Sequence, residues 1–126
     1  MENLKALIVD DEPLAHDILL NYCSNVPYVE VKGQCYSATE ALEFLRKNQI
    51  DLLFLDINMP MLTGLDLLKV LKEHPLVVIT SAYQDYALES FELEVMDYLL
   101  KPFSLERFRE AIAKLESRIG SNQESK

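Results

Sequence analysis

Apolar residues along this chain fall into two alternating kinds of segment. Leu4–Val9, Leu52–Leu55 and Leu76–Ile79 are short and nearly continuously apolar, the pattern of strands buried on both faces. Val29–Tyr36 adds a run with some alternation, and Tyr98–Leu100 a short fifth. Between them lie helical spacings. Leu14, Ile18 and Tyr22 recur every four residues and predict an inward stripe on a first helix. Ser37 to Glu40 is a capping box that starts a second helix, with Ala41, Leu42 and Leu45 inward and an end near Asn48. Thr63 to Asp66 offers a third start, continued by Leu67, Leu68 and Leu71. Tyr86–Phe91 reads as a short fourth helix. Ser104 can cap a last one, with Leu105, Phe108, Ile112, Leu115 and Ile119 inward and Gly120 where a C-cap would fall. Residues 121–126 form a polar tail or the start of a linker, which sets the domain at 1–120.

Five strands and five helices in strict alternation imply an α/β domain whose parallel sheet is covered on both faces. With 126 residues there is room for one such domain, long enough to bury a core without disulfides or a structural metal. Composition narrows the function. A formal net charge of −9 argues against direct nucleic-acid binding, which needs cations to displace counterions. Cys23 and Cys35 form no CxxC pair and stand far from His16 and His74 in sequence, so they read as reduced, partly buried thiols. The N-terminus is no signal peptide, and no apolar stretch approaches the roughly 20 residues of a membrane span. A reduced, cytoplasmic setting without membrane attachment is expected.

What ends each strand carries the chemistry. The first ends in Asp10 and Asp11, the third in Asp56, the fourth in Ser81 and the fifth in Lys101. In an open parallel sheet the carboxyl ends of the strands share one edge, where ligands bind. These residues should therefore converge. Three clustered carboxylates repel one another, and a hard divalent cation relieves that repulsion. Magnesium takes oxygen ligands, with Asp11 and Asp56 ligating directly, Asp10 directly or through water, and the backbone carbonyl of Asn58 as a further donor. A carboxylate can also act as nucleophile and form an aspartyl-phosphate. Lys101 would then supply a positive charge to the phosphoryl oxygens, and the Ser81 hydroxyl a hydrogen bond.

The segments LIVDDEP (7–13), LFLDINMPMLTGLDLL (53–68), TSAY (80–83) and DYLLKPF (97–103) resemble the receiver domain of bacterial two-component response regulators, across about residues 4–119. SAYQDYALESFELEVMDYLLKPF resembles the receivers attached to LytTR-type (LytR/AlgR-like) DNA-binding domains. Lys101 stands 20 positions after Ser81, a spacing that, with Ala82 following, favours Ser81 over Thr80 as the switch hydroxyl. The resemblance implies a flavodoxin-like (CheY-like) doubly wound fold, (βα)5, with strand order 2-1-3-4-5. It implies that Asp56 is the phosphoacceptor, that Asp10 and Asp11 form the acidic metal pocket, that Tyr98 is the aromatic switch partner of Ser81, and that the Lys101–Pro102 peptide is cis. Met61 replaces a glycine often found after the Met-Pro pair, which should alter the loop surface but not the chemistry. Asn58 and Tyr83 match positions that line the path of hydrolytic water, and Tyr83 should shield the phosphoryl group.

On this reading a sensor histidine kinase is the phosphoryl donor. Phosphorylation alters the surface of the fourth helix, fifth strand and last helix, and DNA is met only through an effector domain absent from this chain. A phosphorylation-dependent homodimer could pair Glu89, Glu92 and Glu94 with Arg107, Arg109 and Lys114. Aspartyl-nucleophile phosphatases commonly carry a second Asp two residues after the nucleophile. Asn58 stands there instead, so the chain is expected to be no enzyme toward external substrates. The alternative is a phosphorylation-independent pseudo-receiver that serves only as an interaction module.

Overall fold

The computed structural model describes the backbone of residues 3–124 and the side chains of residues 3–118. Five strands and five helices alternate: β1 (Leu4–Val9), α1 (Pro13–Cys23), β2 (Val29–Cys35), α2 (Ala38–Lys47), β3 (Leu52–Asp56), α3 (Gly64–Val70), β4 (Leu76–Ser81), α4 (Ala87–Glu92), β5 (Asp97–Leu100) and α5 (Leu105–Glu124). The strands form one parallel sheet in the order β2-β1-β3-β4-β5. The chain leaves β1 for β2 on one side and returns to β3 on the other. The crevice between the ends of β1 and β3 is thus the point where the winding reverses.

Strand side chains alternate between faces, and each face builds its own core. Leu7, Val9, Leu53, Leu55, Val77 and Ile79 pack with Ala41, Leu67 and Leu68 under α2 and α3, joined by Tyr86 and Leu93 at the ends of α4. Ala6, Ile8, Leu52, Phe54, Val78 and Leu99 pack on the other face with Leu19 and Cys23 of α1 and Phe108, Ile112 and Leu115 of α5. Phe54 and Phe108 stack across this second core with ring centroids 5.6 Å apart.

Helix starts follow local chemistry. Thr63 and Asp66 form a reciprocal capping box at α3. Ser37 Oγ accepts from Glu40 N at α2, while Glu40 Oε1 reaches past the cap to accept from Tyr36 N. Pro13 opens α1, where a missing N–H costs nothing, and Ser104 Oγ caps α5 by accepting from Arg107 N.

Two expectations are corrected, and a third meets competing contacts within the chain. The first concerns α1, where Leu14 and Ile18 face solvent at 68% and 40% exposure while His16, Leu19 and Cys23 are buried. Leu14 and Ile18 form the outer edge of the helix, because the inward face is made partly of an alanine and a histidine that carry little apolar signal, while Tyr22, the third member of the stripe, packs inward against Phe108. The second is Gly120, which lies inside α5, since the helix continues to Glu124. The polar residues 121–124 continue this helix, and the side chain of Ile119 lies outside the described residues. The third concerns the cations of α5, of which Arg107 and Lys114 both bind the buried Asp97, at 2.8 and 3.2 Å, and Glu89 of α4 pairs with Lys69 at 3.0 Å. Two of the three basic residues expected to cross a two-fold axis are already paired within the chain.

Met61 adopts φ 75°, the left-handed region, which explains why a glycine suits this place. Its side chain is fully exposed and buries nothing in return. Met61→Gly is expected to raise stability by up to about 1 kcal/mol in a urea titration, and Met61→Ile to lower it by a similar amount.

Candidate functional site

Asp10 is the residue after β1 and Asp56 is the last of β3, and both are buried, at 0% and 4% exposure. Together with Asp11, which reaches solvent, each offers a carboxylate oxygen within 4.8 Å of the others. Among the described residues this is the sole group of three that could hold a metal ion. Lys101, just after β5, reaches across the sheet edge into the cluster. Its Nζ lies 2.9 Å from Asp10 Oδ2, 3.6 Å from Asp56 Oδ1 and 4.0 Å from Glu12 Oε1. The Lys101–Pro102 peptide is cis.

The turn that carries the aspartates is held by hydrogen bonds on every side of Asp10. Its N–H donates to the Cys35 carbonyl (3.1 Å), and its Oδ1 accepts from Glu12 N (2.9 Å). Its carbonyl accepts from His16 Nε2 (2.8 Å). At β3 the following loop is locked against the strand end, where Gly64 N donates to the Ile57 carbonyl at 2.9 Å. A Cβ on Gly64 would stand 2.2 Å from the Asp56 carbonyl oxygen, so only glycine fits.

Charge in this pocket is costly. Burial, then the nearby Asp10 charge, push the Asp56 carboxyl up to about 7 from 3.8; Lys101 pulls the other way and Asp11 adds to the rise. Burial disfavours the charged Lys101, but its hydrogen bond to Asp10 and the charges of Asp56 and Asp10 more than offset this and raise its pKa. The ammonium thus partly neutralises three carboxylates. An oxygen-rich, net-negative group of this kind suits a hard divalent cation.

The predicted switch residues form a second, linked group. Ser81 Oγ accepts from Tyr83 N (3.0 Å), and the hydroxyl of the half-buried Tyr98 donates to the Tyr83 carbonyl. Ser81 is therefore turned to the loop before α4. The adjacent Thr80 faces the other way. Its buried Oγ1 has no partner, and it lines a cavity of about 330 Å³ with Ala15, Ile18, Leu19, Tyr22 and Phe103. Asn58 is exposed two residues after Asp56, and Tyr83 is 53% exposed. Cys23 and Cys35 are free and buried; burial pushes their thiols up to about 12 and 11, with Glu40 adding to the second. Glu12, His16 and Gly64 went unnoticed as site residues in the sequence. Glu12 adjoins the aspartates and was within reach of inspection, whereas the partners of His16 and Gly64 come from other elements.

A doubly wound sheet with an acidic pocket and a lysine at its switch point defines the receiver class. The chain belongs to the response regulator receiver domain family, which matches residues 6–113. It is 36% identical over 124 residues to the sensory transduction protein LytR of Staphylococcus saprophyticus, a match covering 96% of this chain and 49% of that protein. It is 40% identical over 126 residues to the sensory transduction protein LytT of Bacillus anthracis, covering 98% and 51%. The response regulatory domain of mrkE from Klebsiella pneumoniae superposes with a TM-score of 0.84 at 35% identity, covering 91% of this chain and 97% of that one. The LytR and LytT relatives agree with the LytTR-type subgroup, and this chain spans about half the length of the curated relatives it matches. Among the described residues no helix is long and apolar enough to cross a membrane.

Proposed function

We propose that this chain accepts a phosphoryl group on Asp56 from a sensor histidine kinase and converts it into a change of surface around α4, β5 and α5. The observation that carries this reading is the convergence of Asp10, Asp11, Asp56 and Lys101 at the switch point of the sheet. Magnesium bound by Asp10, Asp11 and Asp56, with the Asn58 carbonyl as a further donor, would hold the phosphoryl oxygens and offset their charge. The Asp56 carboxylate attacks phosphorus, an O–P bond forms, and the P–N bond to the donor histidine breaks with its electron pair leaving on the imidazole. Lys101 gives up Asp10 for the incoming phosphoryl group. Ser81 leaves Tyr83 N to donate to a phosphoryl oxygen, and Tyr98 moves inward behind it. The phosphoryl group gains contacts in only one of these states, so it shifts their populations.

Leu14 and Ile18, exposed on α1 beside the acidic pocket, support a docking face for the kinase there. Tyr83, half exposed and bonded through its N–H to Ser81, would shield the phosphoryl group from water, and Asn58, in place of an acid-base Asp, makes the chain a phosphoacceptor rather than an enzyme on external substrates. Pairing of two copies through α4 and α5 has Arg109 left to draw on, since Arg107 and Lys114 serve Asp97. The likeness to LytR and LytT, matched over about half their length, supports an output through a LytTR-type DNA-binding effector, in a cytoplasmic transcription regulator.

Incubation with acetyl phosphate and Mg²⁺, followed by intact mass measurement, tests this reading. One added phosphoryl group is expected, absent in Asp56→Asn and absent with EDTA. If no adduct forms and neither Mg²⁺ nor beryllofluoride binds, the chain is a phosphorylation-independent interaction module instead.

A further inference from the structure

His16 is 1% exposed and lies on the first turns of α1, six residues after Asp10. Its Nε2 is 2.8 Å from the Asp10 carbonyl oxygen. A carbonyl can only accept, so Nε2 carries a proton and donates it. On the other side of the ring, Nδ1 lies 3.1 Å from Gln34 Nε2, and its lone pair accepts from that amide. The ring also stacks on Tyr36, with centroids 4.1 Å apart and planes 24° from parallel. Gln34 lies on β2 and Tyr36 just after it. The imidazole is therefore fixed by a hydrogen bond at each nitrogen, a stack on one face and the core around it.

We infer that His16 is a positioning residue for the acidic pocket. It ties the main chain of Asp10 to β2 and so aims the Asp10 carboxylate at Asp11, Asp56 and Lys101. Three other bonds leave Asp10, but the one to Cys35 belongs to the sheet, and those to Glu12 N and Lys101 are made by the carboxylate itself. Among the described residues, His16 alone restrains the peptide between Asp10 and Asp11 from the helix side, and this peptide links two of the three carboxylates. The ring does not touch a carboxylate and is not itself a ligand. Partners behind a metal site commonly set its affinity by restricting the ligands to one orientation. The role rests on the metal-assisted phosphoryl reading given above.

The test measures Mg²⁺ binding, followed by tyrosine fluorescence or NMR, in wild type, His16→Leu, His16→Gln and Gln34→Leu, with unfolding curves for each. His16→Leu fills the same space without the donor and is expected to weaken Mg²⁺ binding about tenfold or more. His16→Gln, whose amide N–H replaces the donor, recovers most of this. Gln34→Leu changes an exposed side chain, keeps the fold and gives an intermediate loss. In wild type the His16 Nε2–H resonance should shift on Mg²⁺ addition with the same midpoint as binding. If His16→Leu does not fold, the Gln34→Leu affinity and the wild-type resonance decide. Unchanged affinity in the folded variants, or a silent His16 resonance, overturns the inference while leaving the receiver reading intact. A wild-type chain that binds no Mg²⁺ overturns both.

Discussion

At pH 8 and without divalent cations, Asp56→Asn unfolds at higher urea than the wild type, by roughly 2–4 kcal/mol of stability. The cause is the cost of an ionised carboxylate in this pocket. Its pKa is raised from 3.8 to about 7, first by burial and then by Asp10. Between those two values the folded chain holds a proton that the unfolded chain has released. Stability therefore falls as pH rises through that window and is lowest above it, the reverse of the usual salt-bridged aspartate. At about 1.4 kcal/mol per unit, the rise sets a ceiling near 4 kcal/mol. Asparagine is never ionised and escapes the cost. At pH 4 the two chains converge, because the folded wild type is already protonated. Mg²⁺ at pH 8 closes the gap from the other side by stabilising the wild type. A difference that stays constant from pH 4 to pH 8 would show that the carboxylate charge is not its source.

Gly64→Ala is expected to cost about 2–3 kcal/mol and to slow phosphorylation by acetyl phosphate at least tenfold. The new Cβ would meet the Asp56 carbonyl oxygen at 2.2 Å, its carbon at 3.0 Å and Leu55 Cγ at 3.1 Å. The first two are main-chain atoms of a central strand, which cannot swing aside as a flexible side chain would. Either the loop lifts, and Gly64 N loses the Ile57 carbonyl, or the end of β3 shifts and takes Asp56 with it. Both reduce stability, and the second misplaces the carboxylate proposed as the phosphoacceptor. Urea titration and the rate of mass gain are read on the same sample. An alanine variant that matches the wild type in both would mean that the loop has slack.

Much of the architecture was legible because two periods in the sequence are clean. Leu52–Leu55 and Leu76–Ile79 are apolar without break and sit inside the sheet, the first leading into Asp56 and the second, past Thr80, into Ser81. That made the convergence of Asp10, Asp56 and Lys101 a matter of topology alone. The separation of Thr80 from Ser81 was likewise within reach, since adjacent strand residues face opposite ways. What was illegible depended on partners distant in sequence. Leu14 and Ile18 look inward until the true inner face, with Ala15, His16 and Leu19, is weighed by packing rather than hydropathy. Arg107 and Lys114 read as surface charge, because nothing local marks Asp97, on another element, as their buried partner. Gly120 reads as a stop although α5 continues through it, because a lone glycine suits a helix interior at modest cost. His16 gave no signal at all, since its meaning resides in Gln34 and Tyr36.

The two separate cores have a consequence for how such a domain diversifies. One lies between the sheet and α1 with α5, the other between the sheet and α2, α3 and α4. A kinase seated on Leu14 and Ile18 and an output read from α4 would then rest on opposite layers, insulated by the sheet. Substitutions that retune the choice of kinase on one side need not disturb the readout on the other. Only the strand ends, and α5, which shares the core of α1 yet belongs to the proposed output surface, are answerable to the two pressures at once.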